Sequence, residues 1–241
     1  MKLNKPETRI IPEDVPPKFF AKHFKPYEFM AESARGKKVL EIGCGDGYGS
    51  FYLSKYASEI TGIDYEEEII LTAKNKYRKD NLNFKCMDTG SLEFNDKEFD
   101  IICSFQVIEH IPEGKLINFL KEVKRVLKET GKFYVSTLNV EYDMKPNSQY
   151  RKNPAHCKEF NFVELESLLR EVFTDIEFCG LHLTKKHTVY QRLKKIGLDK
   201  LLPYAINPVK RFYSSVTTED FVISKDKLNK AIDFICLCIK T

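Results

Sequence analysis

Short apolar segments alternate with longer amphipathic ones along most of the chain. The short segments are rich in β-branched and aromatic residues, which is typical of buried strands. The longer segments repeat apolar residues every three or four positions, which is typical of helices packed on one face. This alternation predicts an α/β fold of strand, crossover helix and parallel strand. Seven strands are predicted, at residues 38–42, 59–63, 82–86, 99–104, 131–136, 175–179 and 233–239.

Charged and capping residues mark the predicted helix boundaries. Three glutamates at 66–68 favour the first turn of a helix, because acidic groups complement the helix dipole there. A second helix is predicted over 112–127 and is expected to stop near Gly131. Asn161 and Glu164 have the spacing of a capping pair and predict the start of a third helix.

Two segments flank the predicted sheet core of a single domain spanning 1–241. The N-terminal segment 1–35 is expected to cap the domain, with a helix in its second half that packs over the ligand end of the sheet or simply covers the core. About fifty residues separate the last two strands, which is too long for a plain connection. We therefore expect the basic stretch 183–229 to form a lid or accessory insertion.

Composition indicates an ordinary globular protein. The chain has 241 residues, of which 42% are hydrophobic and 31% charged, enough to bury one core. Its seven cysteines form no CxxC pair and no zinc-binding spacing with histidine, so we expect reduced thiols and no metal site. The chain has no apolar run long enough to span a bilayer, and its polar start lacks a secretory signal. A soluble cytoplasmic protein is expected.

Positive charge is concentrated in one segment. The formal net charge of +4 is too small to imply nucleic acid as a partner. Between Lys185 and Arg211, however, eight basic residues face a single acidic one, Asp199. The segment therefore suits a solvated lid, a lid over an anionic small-molecule substrate, or, as a less favoured alternative, peripheral contact with a membrane or nucleic acid.

A glycine-rich loop follows the first predicted strand, in the sequence VLEIGCGDGYG at 39–49. Alternating glycines let the backbone approach a ligand where a Cβ would collide. A dinucleotide site would have its third glycine at position 48, where Tyr48 stands. Glu41 is poorly placed for a pyrophosphate but suits the ammonium group of an amino-acid ligand. The loop therefore favours a ligand without phosphate.

Acidic residues follow the next two strands. Asp64 lies about twenty residues after Gly43, where a carboxylate can accept both ribose hydroxyls. Tyr65 can pack against a base, and Asp88 with Thr89 offers an acceptor for an exocyclic amine beside a backbone N–H. Together these positions predict an adenosine, although Asp64 and Asp88 also suit helix caps.

These motifs resemble the successive motifs of class I methyltransferases over roughly residues 25 to 180. They are Glu41-x-Gly-x-Gly, the acids Asp64 and Asp88, and the stretch FDIICSFQVIEHI at 99–111. Several shorter motifs are more narrowly similar to small-molecule methyltransferases linked to sugar and surface-glycan metabolism. These motifs are GYGS at 47–50, VIEH at 107–110, RVLK at 125–128, STLN at 136–139 and HCKEF at 156–160.

The resemblance implies S-adenosyl-L-methionine as cofactor and a seven-stranded, mostly parallel Rossmann-like sheet. Its order would be 3-2-1-4-5-7-6, with strand 7 antiparallel and helices on both faces. Gly43 and Gly45 would approach the methionine part, and Ser104 with Gln106 would lie beside the sulfonium. STLN replaces a more usual Thr-Pro-Asn, which leaves the turn after strand five open. The predicted cofactor-binding residues are Glu41, Gly43, Cys44, Gly45, Tyr48, Asp64, Tyr65, Asp88, Thr89, Ser104 and Gln106.

The expected reaction is direct in-line methyl transfer to an oxygen or nitrogen of a small metabolite. The basic insertion suits a phosphorylated metabolite, and the resemblance suits a sugar-linked one. His110 and His156 are the candidate general bases, because imidazole can take a proton near neutral pH. Each also suits a role in fixing the loop that carries it. Glu109 is expected to be structural or hydrogen-bonded to the N-terminal segment, and Cys103, like Cys44, to be a small packing residue.

Three rival functions remain at this point. An NAD-dependent oxidoreductase shares this type of sheet, but Tyr48 and Glu41 argue against it. A nonenzymatic S-adenosylmethionine-binding module would keep the same loop. A nucleic-acid methyltransferase is disfavoured, because SFQV stands at 104–107 in place of a base-binding Asn/Asp-Pro-Pro motif and no Pro-Cys dipeptide is present.

Overall fold

An eight-stranded sheet forms the centre of the computed structural model, which describes residues 10–144 and 150–241. The strand order is β3-β2-β1-β4-β5-β8-β6-β7. Strand β8 is antiparallel to both of its neighbours, β7 is antiparallel to β6, and the other pairs are parallel. The strands are β1 (Lys38–Ile42), β2 (Glu59–Asp64), β3 (Leu82–Cys86), β4 (Phe99–Phe105), β5 (Leu127–Leu138), β6 (Asp175–Leu183), β7 (Phe221–Ser224) and β8 (Asp233–Ile239).

All seven predicted strands are present and keep the predicted order, with β8 in the place of the antiparallel seventh. The prediction of seven strands in total was wrong, because β7 adds an eighth at the sheet edge. Strand β6 continues past residue 179 to Leu183, and its extension pairs with β7 from Gly180 to Leu183. A four-residue strand inside a basic insertion gives little periodic signal, so the sequence did not reveal it.

The helix before β5 ends earlier than predicted. It ends at Val126, not near Gly131, and the chain passes directly into β5. Leu127 pairs with Phe99 of β4. Its backbone therefore belongs to the sheet, although the apolar spacing assigns Leu127 to the helix. Pairing to the sheet therefore overrides local helix periodicity at this boundary.

Helices cover both faces of the sheet, as predicted. Neighbouring residues of β1 point into different cores: Val39 packs in a cluster with α1 and α3, whereas Leu40 packs in a cluster with α4 and α6. A strand buried on both faces reads as a continuous apolar run, which explains its clear sequence signal. The helices are α1 (Pro17–Met30), α2 (Tyr48–Leu53), α3 (Glu67–Lys76), α4 (Leu116–Val126), α5 (Val140–Asp143), α6 (Phe162–Arg170), α7 (Lys185–Lys195) and α8 (Pro208–Ser214).

The basic insertion leaves and rejoins the sheet at its carboxyl edge. Asp233, the first residue of β8, lies opposite Leu138 at the end of β5 and opposite Leu181 near the end of β6. Leu183, where the insertion begins, pairs with Phe221, where it returns. Helices α7 and α8 therefore start from the edge at which β1, β4 and β5 also end.

Helix α1 joins this edge to the insertion. Lys22 forms an ion pair with Asp233 of β8 at 3.1 Å, and Thr218 of the insertion donates a hydrogen bond to Glu28 at 2.6 Å. The first nine residues of the predicted cap segment lie outside the described residues. Among the helices that the structure describes, each is too short or too polar to cross a bilayer.

The capping pair of α6 gives a test of how local sequence stabilises the fold. Asn161 accepts a hydrogen bond from the Glu164 amide at 2.9 Å, and Glu164 accepts one from the Asn161 amide at 3.0 Å. We expect Asn161→Ala to lower the free energy of unfolding by about 1 kcal/mol in urea titrations, because it leaves helix N–H groups unpaired. Asn75→Ala, at an exposed position of α3, is the matched control and should change it by less than about 0.5 kcal/mol. Equal effects of the two substitutions would contradict this account.

Candidate functional site

The glycine loop is held open at the end of β1. The amides of Gly43 and Cys44 donate hydrogen bonds to the carbonyl of Ile63 in β2, at 2.8 and 2.9 Å. Gly43, Gly45 and Gly47 have φ angles of 76°, 50° and 90°, which favour glycine. A Cβ built on Gly45 would meet no atom within 4 Å, so the loop faces open space at this point. A ligand can therefore approach its backbone closely.

Behind the loop, Glu41 is a buried carboxylate with two hydroxyl donors. Tyr27 of α1 donates to Oε1 at 2.5 Å, and Ser50 of α2 donates to Oε2. Burial is the main cause that raises the pKa of Glu41, to about 7. The Tyr27 ring also lies against Gly49, where a side chain would collide with it. The sequence pointed to Glu41 and to an N-terminal helix over the sheet, but not to the Tyr27 contact that joins them.

Asp64 links the loop to the end of β2. One carboxylate oxygen accepts a hydrogen bond from the Gly45 amide at 3.0 Å, and the other accepts one from the Glu66 amide at 3.3 Å. The second contact is a turn that precedes α3, whose N-cap residue is Glu66, so Asp64 is not the helix cap that the alternative suggested. Tyr65 follows with 68% of its surface exposed, which leaves its ring accessible to a base.

At the end of β3, Asp88 lies in an exposed turn. Its Oδ1 accepts a hydrogen bond from the Gly90 amide at 2.6 Å, which fixes the turn that also carries Thr89. The turn follows Cys86, the last residue of β3, at the same edge as Asp64. The structure thus brings these predicted adenosine-binding positions to neighbouring strand ends.

Ser104 and Gln106 lie at the end of β4. Ser104 is fully buried, and its Oγ has no hydrogen-bond partner among the described residues. Buried hydroxyls are nearly always paired, so this atom points to a partner supplied by a ligand or water. Gln106 has a φ of 57°, and its backbone N–H donates to the Ser136 backbone carbonyl at 2.9 Å. Such strained backbone is typical of ligand sites. The open Gly45 backbone and the unpaired Ser104 hydroxyl fit the predicted cofactor.

Two predicted cofactor residues support the loop with their side chains. Tyr48 packs in an aromatic cluster with Phe20, Phe24 and Tyr27 of α1, with ring centroids 5.3 to 6.1 Å apart. Cys44 is buried in the same core. Direct contact of either residue with the cofactor stays a prediction.

The two candidate bases lie side by side. The rings of His110 and His156 are 4.8 Å apart, edge to face. His110 donates through Nδ1 to the Ala155 carbonyl at 3.0 Å, since a carbonyl can only accept. His156 donates through Nδ1 to the carboxylate of Glu159 at 2.6 Å, and its Nε2 accepts a longer bond of 3.3 Å from Asn153. Both imidazoles are therefore held with Nε2 as the acceptor.

Opposing effects act on the proton affinity of His156. Burial is the largest cause that lowers its pKa, and His110 and Lys152 act in the same direction. The adjacent Glu159 carboxylate opposes this shift, because it stabilises the protonated ring. The imidazole is therefore neutral at pH 7 and can accept a proton that Glu159 would help to hold.

Glu109 is buried and bound to the sheet, which agrees with the structural one of its two predicted alternatives. Its side chain accepts a hydrogen bond from Thr137 of β5 at 2.9 Å, and burial raises its pKa to about 7. Its link to the N-terminal segment is electrostatic, since Lys22 of α1 lowers that pKa.

One group of side chains could also hold a metal ion. The candidate ligand atoms of Glu109, His110 and His156 all lie within 4.8 Å of one another. Imidazole and carboxylate ligands suit a divalent transition metal. No metal site was predicted, because the cysteine spacing does not suit zinc and the packing of His156 against His110 cannot be read from the sequence.

Sequence reasoning missed several residues that complete the site. Tyr27 and Lys22 come from a helix that was expected to cover the sheet without assigned contacts. Ser50 and Glu159 stood inside quoted motifs but received no role. Only the His156-x-x-Glu159 spacing, which places both side chains on one short turn, offered a local signal.

Comparison with known proteins agrees with this geometry. A family model described as a methyltransferase domain matches residues 40–135. A "Probable S-adenosylmethionine-dependent methyltransferase" of Mycobacterium tuberculosis is 33% identical over 175 residues, which are 72% of this chain and 62% of the relative. A ubiquinone biosynthesis O-methyltransferase of Coxiella burnetii is 36% identical over 107 residues, covering 44% of this chain and 45% of the relative. The chain thus spans less than two thirds of the length of these relatives.

The fold has close structural neighbours. A structure of an S-adenosylmethionine-dependent methyltransferase from Archaeoglobus fulgidus superposes with a TM-score of 0.63 at 18% identity and covers 93% of this chain and 94% of its own. Residues 40–135 therefore match a methyltransferase domain, the chain has the Rossmann-like methyltransferase fold, and this family and fold imply S-adenosylmethionine as the cofactor.

Proposed function

We propose that this chain transfers a methyl group from S-adenosylmethionine to an oxygen, or alternatively a nitrogen, of a small-molecule acceptor. The observation that carries the proposal is the shared edge of the sheet. The open glycine loop, Asp64 and the unpaired Ser104 hydroxyl lie at the ends of β1, β2 and β4, and His110, in the turn after β4, packs against His156. One side of the edge suits a cofactor and the other an acceptor.

In this proposal the chain holds the cofactor along β1 to β4. The Gly43–Gly45 backbone and Glu41 take the amino-acid part, Asp64 takes the ribose, and Asp88 with Thr89 takes the adenine. Ser104 offers its hydroxyl close to the reacting group. The cofactor itself supplies a methyl group already activated on a sulfonium, so alignment of the acceptor can account for much of the rate, roughly 7–11 kcal/mol.

His156 is the proposed general base, with Glu159 as its positioning residue. The acceptor hydroxyl gives its proton to His156 Nε2, displacing the long contact from Asn153. The bound cofactor would supply the methyl group to the acceptor oxygen, with the electron pair of the carbon–sulfur bond left on its sulfur. Glu159, 2.6 Å from Nδ1, stabilises the imidazolium that results. His110 packs edge-on against the base and limits its movement.

The acceptor class rests on the charge near the site. Lys22 lies at the edge in its ion pair with Asp233, and the lysines of α7 rise from the same edge. These groups favour an acceptor that carries phosphate or is linked to a sugar nucleotide. The Coxiella burnetii relative, by its name, methylates oxygen in ubiquinone biosynthesis, which supports oxygen as the acceptor atom.

A second candidate mechanism uses a divalent ion held by Glu109, His110 and His156. The observation that favours it is the paired orientation of the two rings. Metal-binding histidines usually donate their other nitrogen to a carbonyl or carboxylate, as both do here. An ion at this place would bind the acceptor oxygen and make a separate base unnecessary.

Asp64→Asn tests the cofactor site by calorimetry with S-adenosylhomocysteine. The substitution keeps an acceptor for the Gly45 amide but removes the charge that would bind two ribose hydroxyls. We expect affinity to fall by roughly tenfold to a hundredfold. Asp80→Asn, at an exposed position, is the matched control and should bind like the wild type. Unchanged binding by Asp64→Asn would contradict this placement, and preferential binding of NAD would favour an oxidoreductase.

The buried Glu41 carboxylate predicts that cofactor binding depends on pH. Its pKa of about 7 in the free protein must fall when the ligand ammonium approaches, so binding at low pH has to expel a proton. Affinity should therefore rise with pH by up to about tenfold per unit below pH 7 and level off above it. The Glu41→Gln variant should lose this pH dependence. It should also lose the proton release that calorimetry in buffers of different ionisation enthalpy is expected to detect for the wild type. A pH-independent affinity in the wild type would refute the contact.

His156→Gln and Glu159→Gln test the proposed general base. The acceptor for this assay is found by screening nucleotide sugars and sugar phosphates for transfer of a labelled methyl group from the cofactor. We expect kcat to fall roughly 10²–10⁴-fold in His156→Gln, with S-adenosylhomocysteine affinity unchanged. Glu159→Gln should lower kcat less and shift its pH profile. His182→Gln, on β6, is the control histidine.

Chelation separates the two mechanisms in the same assay. Activity should survive EDTA if His156 acts as a base, and Glu109→Gln should then mainly lower stability. Loss of activity that added Mn²⁺ or Zn²⁺ restores would make the histidines metal ligands. Binding without any turnover across the acceptor screen would indicate a nonenzymatic cofactor-binding module.

A further inference from the structure

The basic insertion exposes an unusual run of apolar side chains. Seven successive residues at 200–206, with the sequence KLLPYAI, are all exposed. Leu201 is 69% exposed, Tyr204 60% and Ile206 63%, and Ile196 just before them is 73% exposed. Isolated exposed apolar residues are common, but a contiguous group of this kind marks an interaction surface. We call residues 196–206 the apolar loop.

The apolar loop is a folded element that displays these side chains. Asn207 is fully buried beneath it, and its side-chain amide donates to the carbonyls of Leu198, Asp199 and Leu202 at 3.1 to 3.3 Å. Its side-chain oxygen caps α8 through the Val209 amide at 3.0 Å. The loop backbone is therefore anchored from inside, so its leucines and isoleucine point outward because the fold holds them there.

Basic residues dominate the insertion that carries the apolar loop. The basic residues from 185 to 211 are Lys185, Lys186, Arg192, Lys194, Lys195, Lys200, Lys210 and Arg211, against the single acid Asp199. A cleft of about 540 Å³ beside α7 is lined by Lys18, Lys194, Lys195 and Tyr213. Its three ammonium groups suit a phosphate, and Lys194 lies 4.7 Å from the Tyr213 ring centre. At a lipid interface, apolar side chains reach the acyl chains while lysine ammonium groups stay among the headgroups. Exposed apolar side chains flanked by lysines suit this arrangement.

We propose that the insertion binds the surface of an anionic bilayer, with the apolar loop in the lipid interface and the surrounding lysines against phosphate headgroups. Charge complementarity decides between occupants. A second copy of this chain would bring two sets of eight basic residues together across a two-fold axis, which costs repulsion. A nucleic acid would match the charge but leave the apolar side chains in water.

The insertion that carries this surface is attached to the sheet at one edge. The insertion departs at Leu183 and returns at Phe221, both at the carboxyl edge that carries the histidine pair. Docking would place that edge near the bilayer. If the proposed methyl transfer is correct, its acceptor is then an amphiphile reached from the membrane surface. Bilayer binding itself does not rest on the proposed function.

The test is cosedimentation of the full chain with vesicles of phosphatidylcholine, with and without phosphatidylglycerol, in the absence of cofactor and acceptor. We expect binding to the anionic vesicles that weakens with added salt. Leu201→Ser with Ile206→Ser should reduce the partition coefficient roughly tenfold or more. Leu71→Ser with Val163→Ser, also exposed but on α3 and α6, is the matched control and should bind like the wild type.

Charge is tested separately by Lys194→Gln with Lys195→Gln, which should weaken anionic-vesicle binding roughly tenfold to thirtyfold. Lys115→Gln with Lys121→Gln, both exposed near α4, is its control. No sedimentation of the wild type, or equal loss in the control variants, would overturn the proposal. Concentration-dependent dimers that only the Leu201 and Ile206 changes abolish would assign the loop to a second copy, and tight DNA binding without vesicle binding would assign it to nucleic acid.

Discussion

A carboxylate buried in the protein core organises the cofactor half of the molecule. Glu41 is 1% exposed, and burying a charged group of this kind is costly unless it is paired. Two hydroxyls, from Tyr27 and Ser50, supply hydrogen bonds but no positive charge, so the pKa of Glu41 rises to about 7. The strand end therefore keeps an unmet demand for a cation. In the proposed function, the ammonium group of an amino-acid ligand would satisfy that demand, so the cost of burying Glu41 in the free protein would become selectivity for this ligand.

On the proposed acceptor side, Lys22 joins Asp233 at 3.1 Å and Glu159 binds His156, whereas the buried Glu109, like Glu41, has a hydroxyl donor, from Thr137, and a pKa that burial raises to about 7. These contacts join α1 to β8 and the turn after β4 to β5, and they leave imidazole nitrogens as the proton acceptors. Since α1 contributes both Tyr27 and Lys22, a small displacement of this helix would disturb both halves. That coupling suits a reaction in which cofactor and acceptor must be aligned together.

The sequence predicted most of the sheet because its central strands, such as β1 and β8, are buried on both faces. Strand β3 at the edge alternates buried and exposed residues, and all three strands begin and end where predicted. The sequence missed β7, whose four residues pair only with an extension of β6. For the site, motifs located Glu41, Asp64 and the two histidines. The contacts that define their chemistry come from distant residues: Lys22 and Asp233 are 211 positions apart. Pairs of this kind leave no periodic trace and follow only from the tertiary fold.

The insertion adds a separate exposed surface to a common fold. The cofactor-binding strands occupy the first half of the chain, whereas the apolar loop and its lysines enter after β6 and leave the sheet order intact. Because Asn207 anchors the loop and Val209 and Phe212 bury α8, its outward side chains contribute little to the core. Side chains that do not stabilise the fold, yet are held in a fixed arrangement of apolar and cationic groups, are best explained by binding outside the molecule. In the membrane proposal, an anionic bilayer offers both chemistries, an apolar interface and charged headgroups.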